Sequence, residues 1–311
     1  MHLQLLDLDG SLVAQPTLRE ALPWDSVSTV ELRDLGPRLR LWSRQRTFDA
    51  LRARLDAAQA KSVGTITLIG SGDFHHVAVA IIERAARAVA ASFTIVHIDN
   101  HPDWVRLAPR WHCGSWVNRA LRIPQIARVM TLGVCSEDLV RPDWKGGNLA
   151  ALESGKLVLL PWRHAPSRVG RHIADGYGHR YVDRHIVWEN LADGDFAAHL
   201  ATLVDAIPTQ AVWITIDKDV LPEHEVTSNW DQGEMPLARV LETIRAIRTR
   251  KEILGADICG EYAPAGHANW FKRIEARMDQ PRRAVTAADL AQNERVNVAL
   301  LRAIAGAEDA A

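Results

Sequence analysis

A chain of 311 residues, 47% of them hydrophobic, is long enough to bury the core of one large α/β domain. Its 37 basic and 38 acidic side chains leave a formal net charge of -1, which excludes the basic footprint of a nucleic-acid or anionic-membrane binder. Three widely separated cysteines (Cys113, Cys135, Cys259) make a poor disulfide framework, and no uncharged apolar run approaches the roughly 18 residues of a membrane span.

In chain order, residues 3–9 read as a strand running into Asp9-Gly10, and 47–60 as a helix. A strand at 64–70 leads through Gly70-Ser71-Gly72-Asp73-Phe74-His75-His76 into a helix at 77–91, and a strand at 92–99 follows. After a helix at 116–122 come strands at 128–134 and 156–162, then an aperiodic stretch rich in Gly, Arg and His (166–185) that reads as loop. The remainder alternates again: helix 196–206, strand 211–217, helix 237–248, strand 252–258, and a helix at 287–305 stopped by Gly306. The strands are continuously apolar and β-branched, as strands buried on both faces are. The expected fold class is therefore α/β, a single three-layer domain over 1–311 with a mostly parallel central sheet and helices on both faces. The acidic N-terminus lacks a signal peptide's basic flank, so the expected location is cytoplasmic.

The chemistry gathers where strands end. Asp99-Asn100-His101-Pro102-Asp103 follows one strand and Asp217-Lys218-Asp219 another. In extended chain alternate side chains share a face, so each cluster presents its acids and histidine together. Ligands of open α/β sheets bind outside the carboxyl ends of the strands, which is where these clusters and the histidine turn fall. Four carboxylates and two histidines suit a pair of divalent cations such as Mn²⁺, whereas the same acids without metal would repel one another and take up protons.

Asp99-x-His101-x-Asp103 resembles the DxHxD motif of arginases and agmatinases, and Asp217-x-Asp219 resembles their DxD. Gly72-Asp73-Phe74-His75 is similar to their GGDH turn, and Asp257–Pro264 to their late ExxP motif, so the resemblance to the arginase-like (ureohydrolase) family runs from residue 64 to 264. It implies two Mn²⁺ per subunit, one held by His75, Asp99, Asp103 and Asp217, the other by Asp99, His101, Asp217 and Asp219, with Asp99 and Asp217 bridging. A metal-held hydroxide would attack the C–N carbon of a small guanidino or amidino compound, a nearby acid would protonate the leaving amine, and Glu261 would face the substrate cation. The family also implies a homo-oligomer.

The chain departs from the pattern in five places. His76 competes with His75; His112-Cys113-Gly114 stands for a His-Gly pair and leaves the catalytic role to His112 or Cys113; a third Asp is missing after Asp219; Gly260 is inserted before Glu261; and 104–111 lacks the polar residues that hold an amino-acid head group. Arg106 and Arg110 in that stretch read as a solvated face or as an anion-attracting mouth. His97 reads as a core or supporting histidine. Rival readings are a one-metal deacetylase on the same fold, a non-catalytic binding protein, and a haloacid-dehalogenase-type phosphatase built on Asp7-Leu8-Asp9-Gly10.

Overall fold

The computed structural model describes residues 1–58, 61–106, 111–264 and 266–307; Arg110, with the rest of 107–110, and the last two positions of the helix expected over 47–60 lie outside them. Its centre is an eight-stranded sheet of β1 (His2–Asp7), β2 (Ser26–Glu31), β3 (Thr65–Ser71), β4 (Phe93–Ile98), β5 (Ile126–Leu132), β6 (Leu157–Leu160), β7 (Ala211–Asp217) and β8 (Glu252–Glu261). They lie in the order β2-β1-β3-β8-β7-β4-β5-β6, every neighbouring pair parallel. Helices α1 (Gln45–Ala57) and α2 (Ala78–Ala88) pack one apolar layer on the first face, around Phe48, Leu51, Ile82 and Ile95. On the second face α3 (Phe196–Ala206) and α4 (Leu237–Arg250) pack on Ile98, Ile214 and Ile216. Helix α5 (Trp270–Asp279) follows β8, and α6 (Ala287–Ala305) returns to the second face through Val296, Leu300 and Leu301. A Thr286–Asp289 capping box starts α6, and Gly306 ends it in the left-handed conformation at φ 75°.

Each expected strand and helix is present, with ends moved by a few residues. Of the elements that were not expected, three bear on the architecture. β2 is an edge strand whose alternation is mostly polar and half-buried. The 166–185 region is not a plain loop: Ser167–Arg168, His179–Val182 and His185–Trp188 form a small antiparallel sheet. Its two-residue turn, Asp183-Arg184, has positive φ at both positions (45° and 63°), a conformation usually announced by Asn-Gly. Helix α5 is the third. A short antiparallel pair, Trp42–Ser43 with Trp111–His112, carries His112 to the sheet's carboxyl edge.

Candidate metal centre

The carboxyl ends of β3, β7 and β4 open into a cavity of about 720 Å³. His75, Asp99, His101, Asp103, Asp217 and Asp219 all line it, although they come from three separate stretches of chain. His75 Nδ1 lies 3.1 Å from Asp99 Oδ2, 3.3 Å from Asp103 Oδ2 and 3.6 Å from Asp217 Oδ2. His101 Nδ1 lies 3.1 Å from Asp219 Oδ2 and 3.6 Å from Asp99 Oδ1. The donors thus fall into groups of the kind a cation binds: His75, Asp99 and Asp103 in one, Asp99, His101 and Asp219 in another, with Asp99 common to both. His76 is fully buried but belongs to none of these groups; its ring packs near Phe48, and neither nitrogen has a hydrogen-bond partner. Between the two histidines, His75 is the one placed among the acids.

Neighbouring side chains orient the donors. The Thr215 hydroxyl gives its hydrogen to Asp257 Oδ1 at 2.6 Å, so its oxygen accepts from His75 Nε2 at 3.0 Å. That places a ring proton on Nε2 and turns Nδ1, buried and without a hydrogen-bond partner, toward the carboxylates. His101 Nε2 faces Asp231 Oδ1 at 3.0 Å, the outer carboxylate that commonly backs a ligating histidine. His97 Nε2 donates to Asp99 Oδ2 at 2.8 Å and Nδ1 meets the Thr131 hydroxyl at 3.0 Å, so His97 holds Asp99 in place with both nitrogens engaged. Trp116 Nε1 donates to Asp103 Oδ2 at 2.6 Å. Backbone approach matters at Gly72, where a Cβ would stand 2.6 Å from Asp217 Oδ2.

The electrostatics are those of acids crowded out of water. Burial, then the negative charge of Asp99, pushes Asp217 up to about 6. Burial followed by Asp217 and Asp99 raises Asp219 well above the usual carboxylate range, and burial with Asp99 raises Asp103. Asp99 is held well below that range: burial opposes this, but the His97 charge and the neighbouring imidazoles of His101 and His75 prevail. A polar cavity whose acids cannot all ionise, with two histidines presenting nitrogens to it, has the donor chemistry of a divalent-cation site.

Of the other expected site residues, His112 and Cys113 line the cavity and Glu261 does not. His112 Nδ1 accepts the Gly114 amide at 2.9 Å, so its proton sits on Nε2, which donates to Glu275 at 2.9 Å. The expectation that Glu261 faces the substrate is corrected: its buried carboxylate is paired with Lys218 Nζ and accepts from Asn297 at 2.6 Å and Asn293 at 3.3 Å. The cause is the inserted Gly260. Register shifts on either side of Cys259 and a φ of 94° at Gly260 break the alternation of β8, so Glu261 emerges on the α6 side. Arg106 is not among the cavity's lining residues. Asp7 is taken by Arg33 (2.7 Å) and Asp9 by the Ser11 hydroxyl (2.6 Å) and Arg40 (3.4 Å), so this pair is structural. Sequence reasoning passed over Asp231, Thr215, Asp257 and Glu275. Thr215 and Asp257 each lie two residues before a side chain facing the site, and period-two alternation would have found them; Asp231 and Glu275 carry no such signal.

A parallel sheet with this cluster at its carboxyl edge is the arginase-like α/β fold. The chain matches the model of the Arginase family over residues 11–278 and belongs to that family. An uncharacterized protein of Thermotoga maritima is 27% identical over 199 residues, 64% of this chain, and the match spans 59% of that relative's length. Among solved structures, the arginase from Bacillus caldovelox superposes with a TM-score of 0.62 at 14% identity, over 99% of this chain and 98% of that one. Proclavaminate amidino hydrolase from Streptomyces clavuligerus gives 0.61 at 12% identity, over 99% and 92%. Formimidoylglutamase from Bacillus subtilis gives 0.58 at 13% identity, over 98% and 86%. At these identities the likeness is one of fold.

Proposed function

We propose that residues 1–311 act as one domain that hydrolyses a C–N bond in a small cationic guanidino, amidino or related amide compound, at a centre of two divalent cations. The observation that carries this reading is the buried Nδ1 of His75, without a hydrogen-bond partner, among Asp99, Asp103 and Asp217, with Asp99 shared by a second group containing His101 and Asp219. His75, Asp99, Asp103 and Asp217 would hold one cation, and Asp99, His101, Asp217 and Asp219 the other. Bound there, the cations would supply Lewis acidity and a water activated near neutral pH.

The protein's own groups do the rest. Glu275 accepts from His112 Nε2 and fixes the ring at the cavity wall, which makes His112 the candidate to protonate a leaving amine. Burial, then the charges of Asp103 and Asp73, push the Cys113 thiol well up, which suits a packing role beside His112. With Glu261 withdrawn, the mouth itself selects charge: Glu137, Asp138, Asp231 and Asp279 line it, and Lys145 is paired with Asp138 at 3.2 Å. Such a rim attracts a cation.

Protein of known metal content, screened against such compounds for release of urea, ammonia or amine, tests the reading. Activity should appear in wild type and vanish in Asp219→Ala. Equal behaviour of the two across the panel would leave a binding protein that keeps the fold.

A further inference from the structure

Three cysteines occur in the chain, and of the two without an expected chemical role one lies deep in the site. Cys259 Sγ lies 3.1 Å from Asp217 Oδ2, the side chain is 1% exposed, and Sγ, His75 Nδ1 and a carboxylate oxygen of Asp217 all fall within 4.8 Å of one another. Two features set it there. Register shifts before and after Cys259 re-aim its side chain, as bulges beside functional sites do, and Gly260 admits the close backbone approach to Asp217. Independently of the thiol, His75 Nδ1 is buried, aimed at the same point and satisfied by no hydrogen bond, which marks the point as the place of a ligand.

Resting on the two-cation reading above, we propose that Cys259 is a thiolate ligand of the cation held by His75 and Asp217, and that this centre prefers Zn²⁺ or Co²⁺ to Mn²⁺. The six oxygen and nitrogen donors alone suit Mn²⁺; a soft sulfur donor moves the preference toward thiophilic ions. On binding, the S–H bond breaks, the sulfur–metal bond forms, and the proton passes to solvent.

Titration of metal-free protein with Co²⁺, followed by absorption, reads this directly. Wild type should develop visible ligand-field bands together with a strong near-ultraviolet sulfur-to-cobalt charge-transfer band. Cys259→Ser should keep the visible bands and lose the charge-transfer band, while Cys113→Ser should keep both. Zn²⁺ affinity should fall by at least about tenfold in Cys259→Ser, with Mn²⁺ affinity changed far less. Cys259→Ala serves should the serine variant not fold, with circular dichroism as the check. Co²⁺ bound by wild type without a charge-transfer band, or a band lost with Cys113 instead, overturns the thiolate ligand and leaves the two-cation centre standing. No binding of Co²⁺, Zn²⁺ or Mn²⁺ overturns both.

Discussion

Lys218 lies between Asp217 and Asp219 in sequence and points the opposite way. Alternation along β7 sends Thr215 and Asp217 to the cavity side, and Lys218 to the second face, where Glu261 neutralises it and Asn293 and Asn297 complete the set. Both members of this ion pair are buried, so removing one leaves a charge with no partner and no water. Glu261→Gln or Lys218→Met should therefore cost about 3–5 kcal/mol in urea unfolding, whereas Lys218→Met/Glu261→Leu should recover most of it. A role for Glu261 in substrate contact would instead give a change in KM at unaltered stability. The opposite pattern holds for Asp231, whose side chain is 54% exposed and whose contacts are with His101 and Asn100. Asp231→Asn should leave metal-free stability within about 0.5 kcal/mol of wild type and weaken cation binding by about 10–100-fold, measured by calorimetric titration. Five of the six clustered donors were legible because strand-end spacing of two announces a shared face; His75 was legible only through the resemblance of its turn to the family's GGDH. Their supporting partners were less so, since a residue such as Glu275 meets His112 only through the packing of α5.

Strand β8 shows how one inserted residue redirects an element. Gly260 takes φ 94°, and a Cβ there would collide with Asp217 Oδ1 and the Lys218 amide. Gly260→Ala should thus be strained in its backbone and displace a carboxylate of the cluster at once. The expected result is a loss of about 1–3 kcal/mol of stability with a lower bound-metal stoichiometry; unchanged values in both would show that the bulge does not matter to the site. The sheet's inner strands were plain in the sequence because burial on both faces gives unbroken apolar runs. What escaped notice had the reverse character. β2 is polar at an edge, and α5 is inside out: Trp270, Phe271, Ile274 and Met278 are exposed, while Lys272 is 1% exposed. Lys272 is held by main-chain carbonyls at 2.9 Å (Arg38) and 2.7 Å (Arg40), and burial pushes it down to about 8. A helix anchored by a buried lysine carries no inward apolar stripe for periodicity to detect.

At the scale of the molecule, the strand order brings four central carboxyl ends together, and with them more negative charge than the metal-free fold holds comfortably. The consequence is a stability that depends on pH and on cations. An acid raised by burial binds more protons folded than unfolded between its ordinary and its raised pKa, so stability falls as pH climbs through that window. Asp217, moved from 3.8 to about 6, sets one such window, and Asp219 and Asp103 act in the same sense. His75 and His101 extend it upward: burial lowers each, but Cys259, Asp103 and Asp99 around His75, and Asp219, Asp231 and Asp99 around His101, hold both well above 6.5. Asp99, held low, acts oppositely only below the ordinary carboxylate value. Metal-free protein should accordingly lose stability as pH climbs from 3.8 to about 6, and go on losing it above 6.5 as the two histidines give up their protons. A bound cation displaces those protons and favours the folded state by mass action, worth about 2.7 kcal/mol at a hundred times Kd. With Zn²⁺ or Co²⁺ in excess the melting temperature should therefore rise with pH over the same range. Melting curves in chelator and in added metal, at half-unit pH steps, decide the matter: parallel profiles in the two conditions would mean that these acids and histidines do not share a cation.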